Sequence, residues 1–160
     1  MKVLVINAGS SSIKYQLYRM PEATVLAKGL VERIGEETSK LTHFHNNKTH
    51  TAQVKAKDHK KAMELILQSL VSESIGVVKS ISEIKAVGHR VVHGGEEFTG
   101  SVVIDDKVIA SIEKFADLAP LHNPANLTGI RAARKSLAGV CQVACFDTAF
   151  HSTIPQVAYM

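Results

Sequence analysis

The amino-terminal segment Val3–Tyr18 carries three serines, a lysine and a glycine in a pattern that could bind phosphate. If the chain after Gly9 is extended, Ser10, Ser12 and Lys14 project from one face, because side chains alternate along a strand. Two hydroxyls, an ammonium group and the accessible N–H groups of a glycine-containing bend together form an anion site. The alternative is an ordinary polar hairpin in which Ser and Gly serve only the turn.

This segment differs from the two common glycine-rich phosphate loops. A P-loop needs a glycine directly before its lysine, where this sequence has Ile13, and no helical pattern follows Gly9 as a dinucleotide-binding loop requires. A phosphate bound here would therefore rest on a hairpin.

Arg90 is the second candidate for chemistry. Strand alternation places it on the same face as Gly88 and Val92, in a small open pocket. A guanidinium group is well suited to grip a carboxylate or a phosphate with two hydrogen bonds. The alternative is an ion pair with Glu96 or Glu97.

Two histidines flank Arg90 with a spacing of four residues. On a strand, His89 and His93 lie too far apart to share a metal ion. We therefore expect core or surface histidines there.

His122 and Asp147 are the remaining candidates. His122 stands between two prolines, directly before Asn123, which we predict to be a helix N-cap with Pro124 in the first helical position. A helix N-terminus favours bound anions, although a plain surface histidine is the alternative. Asp147 ends a buried strand, where it could hold a metal or a substrate, or only cap the next loop.

These groups fit one chemistry when they are taken together. Hydroxyls and a lysine suit phosphate, an arginine suits an anion, a histidine suits developing charge, and Asp and Asn suit a magnesium shell. Phosphoryl transfer uses such a set, because its catalysis consists mostly of positioning and charge stabilisation.

Strands dominate the first half of the predicted fold. The apolar run Val3–Ile6 suits a strand covered on both faces, and Ile13–Tyr18 alternates. The two form a hairpin whose bend is Asn7–Ser11, and Thr24–Ile34 is a third strand.

A polar hairpin follows, with Asn46 and Asn47 as its turn. It carries His43, His45 and His50, which have no acidic or cysteine neighbour in the sequence. We expect these histidines to be solvated.

Helices and strands alternate after Asp58, which is a plausible N-cap for a helix with apolar residues at helical spacing. The order predicts one α/β domain with a mixed sheet: an antiparallel hairpin first, then alternating helix and strand.

The composition is that of a globular domain rather than of a disordered chain: 45% of the 160 residues are hydrophobic and 21% are charged. The net charge is +4, but the basic residues are scattered, and the densest cluster, Lys55–Lys61, reads as a loop entering a solvated helix. No nucleic-acid partner is expected.

Cys141 and Cys145 lie in a predicted buried strand, and we expect two reduced core thiols. No segment approaches the ~20 apolar residues of a membrane span, and no signal peptide precedes the first strand. The expected location is the cytoplasm, with no membrane partner.

Four blocks of the chain, in order, closely resemble the acetate kinase family: VINAGSSSIKY, GHRVVHGGEEFTGSVVIDD, LAPLHNPANL and CFDTAFHSTIP. The resemblance implies the ribonuclease H-like, actin-like ATPase fold shared by sugar kinases, Hsp70 and actin. It also implies the reversible reaction of ATP with acetate to give ADP and acetyl phosphate, with Mg²⁺ as cofactor.

The resemblance assigns roles to the hairpin residues. Asn7 matches the family's asparagine for magnesium and the phosphate region. Ser10, Ser12 and Lys14 match its phosphate-hairpin residues, which contact ATP.

It also assigns the other candidates. Arg90 matches the arginine that holds the carboxylate and the transferring phosphoryl group, and Val92 and Leu121 match two walls of the pocket for the methyl group. His122 matches the transition-state histidine, and Asp147 the essential acidic residue.

Elementary acid–base chemistry sharpens the role of Asp147. A carboxylate substrate with a pKa near ~4.3, like that of Glu, is already ionised at neutral pH and needs no general base. We therefore expect Asp147 to organise the site or to join the magnesium shell.

The family is longer than this chain and has two domains. Residues 1–160 resemble its N-terminal domain, so we expect a truncated domain that lacks the C-terminal nucleotide-binding domain and is inactive alone. The family is dimeric, which leaves the state of the fragment open. The alternatives are a propionate kinase and, for the fragment itself, a non-catalytic folded module.

Overall fold

The computed structural model describes residues 1–95 and 97–150. Glu96, one of the two carboxylates considered as partners of Arg90, and residues 151–160 lie outside them. The strands are β1 Lys2–Ala8, β2 Ser12–Arg19, β3 Thr24–Glu32, β4 Ser39–His45, β5 Lys48–Val54, β6 Ile84–Val91, β7 Val102–Val103 and β8 Cys141–Phe146.

All eight strands belong to one mixed sheet in the order β5-β4-β3-β2-β1-β6-β8-β7. The pairs β1–β6 and β6–β8 are parallel, and the other neighbours are antiparallel. The predicted α/β domain with an antiparallel hairpin and then alternating helices and strands is confirmed.

The turn between β4 and β5 is the one that the sequence predicts. Asn46 and Asn47 have φ of +46° and +59°, the left-handed conformation that a two-residue hairpin turn requires. Asparagine is one of the few residues other than glycine that tolerate it.

The helices are α1 His59–Val71, α2 Asp106–Lys114, α3 Asn123–Ser136 and α4 Asp147–Phe150, with short 3₁₀ turns at Ile81–Glu83 and Phe115–Leu118. Asp58 caps α1 as predicted, because its carboxylate accepts a hydrogen bond from the Lys61 N–H at 2.7 Å. No helix in the described part of the chain has the length and apolar character that a membrane span needs.

The helices α1 and α3 pack on each other and on one face of the sheet, with α2 beside α3. The core on that face is aliphatic and includes Leu4, Ile6, Ile13, Met63 and Ile66, each at most 1% exposed.

The expectation that β1 is covered on both faces is wrong for the described residues. Val5 is 38% exposed, because no described helix lies on its side of the sheet.

The expectation that the histidines of the polar hairpin are solvated is also wrong. His43 is fully buried: its Nε2 donates to the Ile75 carbonyl at 3.0 Å, and its Nδ1 accepts from the Tyr15 hydroxyl at 2.5 Å. Burial lowers the pKa of His43 and keeps the ring neutral. His45 and His50 are half-buried, with stacked rings 5.1 Å apart.

The two cysteines are free, as predicted, but they are exposed rather than in the core. Along β8, Gln142, Ala144 and Phe146 alternate with the cysteines and take the buried side. Cys141 and Cys145 therefore lie on the open face of the sheet.

Candidate active site

Three predicted site residues lie in one row across the open face of the sheet. Asn7 on β1 pairs with Lys14 on β2. The β1–β6 ladder pairs Ile6 with His89, so the next position along both strands places Asn7 beside Arg90. Lys14 and Arg90 are exposed, and the residues that flank each of them along its strand are buried on the helix side. This register brings a lysine, an amide and a guanidinium together.

The row continues on β8. Cys145 pairs with Arg90, and its sulfur accepts a hydrogen bond from the Ser101 hydroxyl at 3.4 Å. Lys14 has no carboxylate partner within the described residues. The lysine end of the row therefore carries an unpaired positive charge that suits an anion.

Arg90 and Asp147 form the closest charged contact of the site. The Arg90 Nε lies 3.1 and 3.0 Å from the two carboxylate oxygens of Asp147, and its Nη2 lies 2.7 Å from Oδ2. The hydrogen bonds to Asp147 raise the pKa of Arg90. Of the two partners first considered for Arg90, Glu97 forms no ion pair with it in the structure, and Asp147, which follows β8, takes this place.

Two helices, α1 and α3, form hydrogen bonds to the bend between β1 and β2. The Gly9 N–H donates to the Ser12 carbonyl at 2.8 Å, and His59 from the start of α1 donates through Nε2 to the Gly9 carbonyl at 2.7 Å. Asn126 of α3 donates through Nδ2 to the Ala8 carbonyl at 2.8 Å. Ser10 precedes the first residue of β2 and is exposed. The bend is thus fixed while the Ser10 side chain faces solvent.

His122 and Leu121 lie exposed at the start of α3, and Leu121 is 80% exposed. No hydrogen bond or ion pair in the described part of the chain joins either side chain to Arg90 or Asp147. The site therefore has two groups: the row on the sheet with Asp147, and the loop that enters α3.

The prediction that Asn123 caps α3 is wrong. The helix begins at Asn123 itself, after His122, and the Asn123 side chain is fully buried. Its Oδ1 accepts from the His93 N–H at 3.1 Å and its Nδ2 donates to the His93 carbonyl at 2.9 Å. The carboxamide therefore forms hydrogen bonds with the backbone of the loop that follows β6, and not with the first N–H groups of its own helix.

Sequence reasoning missed Asn126, which connects the two groups of the site. It is 4% exposed, and its Oδ1 accepts from the Val92 N–H at 3.1 Å. Asn123 and Asn126 are three positions apart, on the helix face that also carries the buried Leu127 and Ile130. Two carboxamides on an apolar helix face were the available signal, because buried amides need hydrogen-bond partners.

A buried pair lies on the other side of the sheet from Arg90. His89 is 3% exposed and donates through Nε2 to the Gln142 Oε1 at 2.7 Å. The prediction of a core histidine is confirmed for His89. Burial lowers its pKa to about 4. His93 is half-buried, and its Nδ1 accepts from the Gly95 N–H at 2.9 Å.

The oxygen donors of this face match the ligands that magnesium prefers. Asn7 offers a carboxamide oxygen and Asp147 a carboxylate, and Mg²⁺ is usually bound through one or two carboxylates together with water and substrate phosphates. The described residues contain no group of three or more His, Cys, Asp or Glu side chains that could hold a metal ion. The donor set thus fits a cation that arrives with phosphates.

A sequence profile of the acetokinase family matches residues 2–160. The chain belongs to the acetokinase family. Its acetokinase relatives include the acetate kinase of Thermotoga maritima, which is 58% identical over all 160 residues; these residues cover 40% of that protein. The acetate kinase of Clostridium novyi is 56% identical over the same length and share.

Solved structures agree with this assignment. The crystal structure of Porphyromonas gingivalis acetate kinase superposes on 98% of this chain with a TM-score of 0.94 and 49% identity. A propionate kinase from Francisella tularensis superposes on the same share with a TM-score of 0.88 and 36% identity. The acetokinase chain therefore has the predicted actin-like ATPase fold. It spans about 40% of the length of the curated relatives that it matches.

Proposed function

We propose that residues 1–160 form the N-terminal domain of a longer two-domain acetate kinase. The enzyme transfers the γ-phosphoryl group of ATP to acetate. An acetate oxygen attacks the γ-phosphorus, the bond from that phosphorus to the ADP oxygen breaks, and ADP and acetyl phosphate leave. The observation that carries the proposal is the row of Lys14, Asn7 and Arg90, in a chain that is 58% identical to an acetate kinase.

The hairpin would bind the nucleotide phosphates. The Lys14 ammonium has no carboxylate partner among the described residues, and Ser10 and Ser12 precede it at the bend. The Gly9 N–H is already bonded to the Ser12 carbonyl, so phosphate contacts would come from the hydroxyls, from Lys14 and from the other N–H groups of the bend.

Arg90 would hold the reacting carboxylate and the phosphoryl group. Its Nε and Nη2 are both bonded to Asp147, so the guanidinium plane is fixed before a substrate arrives. This geometry favours Asp147 as an organiser, in line with a substrate that is already ionised and needs no base. His122 would stabilise the charge that develops at the phosphoryl group, and Val92 and Leu121 would contact the acetate methyl group.

Mg²⁺ would supply charge neutralisation of the nucleotide phosphates, with Asn7 and Asp147 as the residues of this chain that could hold it. Cytoplasmic location and a homodimeric full-length enzyme complete the proposal.

The test is acetyl phosphate formation by the full-length protein and by its Arg90→Ala variant. We expect the substitution to lower kcat by about 10²- to 10³-fold, because a charged donor to the transition state is lost. Arg131→Ala is the matched control. Arg131 is also a half-exposed arginine in an ion pair, 3.1 Å from Glu113, but it lies away from the row. Near-normal turnover of the Arg90→Ala variant would overturn the assigned role.

Propionate kinase is the second candidate, favoured by the structural match to the Francisella tularensis enzyme. Against it, the small side chain of Val92 would fit the methyl group of acetate. The ratio of kcat/KM for acetate to that for propionate decides between the two, and a higher value for propionate would reject acetate as the main substrate.

A further inference from the structure

The parallel ladder between β1 and β6 ends before either strand does. Its last residue pair is Ile6 with His89. The strand β1 continues to Ala8 in its pairing with β2, and β6 continues to Val91 in its pairing with β8. The direct pairing of the two strands therefore stops at the edge of the sheet where Asn7 and Arg90 lie.

The carboxamide of Asn126 bridges the two strand ends beyond the last pair. Its Nδ2 donates to the Ala8 carbonyl at 2.8 Å, and its Oδ1 accepts from the Val92 N–H at 3.1 Å. Both partners are backbone groups beyond the last direct pair of the ladder. The side chain thus supplies one donor and one acceptor, as a strand between β1 and β6 would do.

The same residue touches a third part of the site. The Asn126 backbone N–H donates to the His122 carbonyl at 2.9 Å. This is the ordinary backbone bond of the first helical turn, so it places the Asn126 side chain one turn after His122. The side chain itself bonds the bend through Ala8 and the end of β6 through Val92.

The helix is held at the distance that this bridge needs. Gly129 lies one turn after Asn126, and a Cβ atom placed on it would overlap the Ala8 Cβ. Because glycine permits this close approach, the α3 backbone lies near enough to β1 for a short amide to reach both strands. Because Asn126 is only 4% exposed, water does not compete for the two hydrogen bonds of its side chain.

We propose that Asn126 is a positioning residue that sets the separation between the phosphate-binding bend and the Arg90–Val92 end of β6. Its side chain is buried and bonds backbone atoms of Ala8 and Val92, so it would act through them rather than on a substrate. Its effect on the reaction is to fix the distance between the nucleotide phosphates and the acyl group, and in this respect the inference rests on the proposed function.

The test compares Asn126→Asp and Asn126→Leu with Thr128→Val in the full-length enzyme. Thr128 is the matched control, because it is an exposed residue of α3 whose hydroxyl bonds only within the helix, to the Pro124 carbonyl at 2.9 Å. We expect both Asn126 variants to lose about 10- to 100-fold in kcat, with each KM changed by less than about threefold, because bound substrates would be misaligned rather than released.

The pH profile separates positioning from general destabilisation. In the Asn126→Asp variant an ionised carboxylate would only accept hydrogen bonds, so the Ala8 carbonyl is left without a donor. A protonated carboxyl again offers one donor and one acceptor. We therefore expect the kcat of folded Asn126→Asp enzyme, relative to wild type, to rise as the pH is lowered. The Asn126→Leu variant should show no such recovery.

Two results would overturn the proposal. One is a wild-type kcat per folded molecule in both Asn126 variants. The other is a loss of folded protein with the turnover of the remaining folded enzyme unchanged, since that outcome shows a structural role alone.

A second measurement keeps this inference separate from the proposed function. Hydrogen exchange of the Val92 amide reports the bridge without any substrate, and we expect faster exchange in the Asn126→Leu variant than in Thr128→Val. If wild-type protein forms no acetyl phosphate, the proposed function fails. In that case, unchanged protection of the Val92 amide in the Asn126→Leu variant would overturn the bridge. Faster exchange in that variant would support the bridge as a structural element of a site with another function.

Discussion

The Arg90 guanidinium and the Asp147 carboxylate share three short contacts, although both side chains are about half-exposed. An exposed ion pair of this kind adds on the order of 1 kcal/mol or less to folding stability. Its larger effect is to restrict the rotamers of Arg90, because an arginine that is already fixed loses less side-chain entropy when it binds an anion. The pair is therefore better understood as preparation for a ligand than as a support of the fold.

His89 gives a prediction about stability at low pH. Burial lowers its pKa from the ordinary 6.5 to about 4, so the folded state holds the ring neutral. The free energy of unfolding is therefore highest above pH 6.5 and decreases as the pH falls towards about 4, because over this range the unfolded chain binds a proton at His89 that the folded domain does not bind. The loss is on the order of 3 kcal/mol. Protection of β6 amides against hydrogen exchange, compared at about pH 7.5 and about pH 4.5, measures it.

A double variant provides the control for this prediction. In His89→Leu/Gln142→Leu the titrating ring and its buried hydrogen-bond partner are both removed, so no polar group is left unpaired where they meet. We expect the pH dependence to become smaller in this variant, while the part due to His43, whose pKa is also lowered by burial, remains. An unchanged pH dependence would contradict the role of His89.

Helix α3 is the element that positions the site, and Gly129 tests how closely it must pack. In an exposed helix, Gly→Ala stabilises by about 1 kcal/mol. At Gly129 we expect the opposite: a loss of about 1–3 kcal/mol in unfolding free energy, because the new methyl group would overlap the Ala8 side chain. Thermal unfolding of the purified variant provides the measurement.

The compensating change is available on β1. Ala8 is 4% exposed and contacts Gly129, so the double variant Gly129→Ala/Ala8→Gly moves the methyl group from the strand to the helix. We expect most of the lost stability to return in this variant. A Gly129→Ala protein as stable as wild type would show that α3 can move away from β1 freely.

Several elements could be predicted from the sequence because their signals are local. The turn at Asn46 and Asn47 requires positive φ, and the cap at Asp58 bonds an N–H group three residues away. Such features depend only on residues that are close in the chain, so they can be predicted without knowledge of the tertiary fold.

The wrong predictions about the strands share one cause. Alternation tells which residues share a face, but not which face the helices cover. His43 is two residues after Leu41 on β4, so both side chains lie on the core face, although the segment around His43 is polar. Cys141 and Cys145 alternate with buried residues and therefore face outwards. The polar or apolar character of a segment suggested the opposite in each case.

The sequence provided candidate site residues, but not the contacts that connect them. The resemblance to acetate kinases selected Arg90 and Asp147 separately, and only the parallel pairing of β6 with β8 brings the segments that carry them together. The bridge through Asn126 spans 118 residues of sequence to Ala8 and follows from tertiary packing alone.

At the scale of the whole molecule, the candidate site is an open surface. Lys14 and Arg90 lie on an open sheet face, and His122 and Leu121 project from an exposed helix start. Water has access to all four side chains, so the charges of Lys14 and Arg90 act in a medium of high dielectric constant and would stabilise a transferring phosphoryl group only weakly. Kinases commonly strengthen such interactions by closing a second surface over the substrates.

The last prediction follows from this openness. We expect the 160-residue chain alone to form no acetyl phosphate above background, and to bind ATP more weakly than micromolar, while the full-length enzyme does both. On the proposed function, the surface that closes over the substrates would belong to the rest of the full-length enzyme; this chain spans 40% of the length of its relatives. Protection of β6 amides must first establish that the shorter chain is folded, and titration calorimetry with Mg²⁺ and ATP then gives the affinity. Acetyl phosphate formation by the folded chain, or micromolar binding of ATP, would show that residues 1–160 hold a complete nucleotide site.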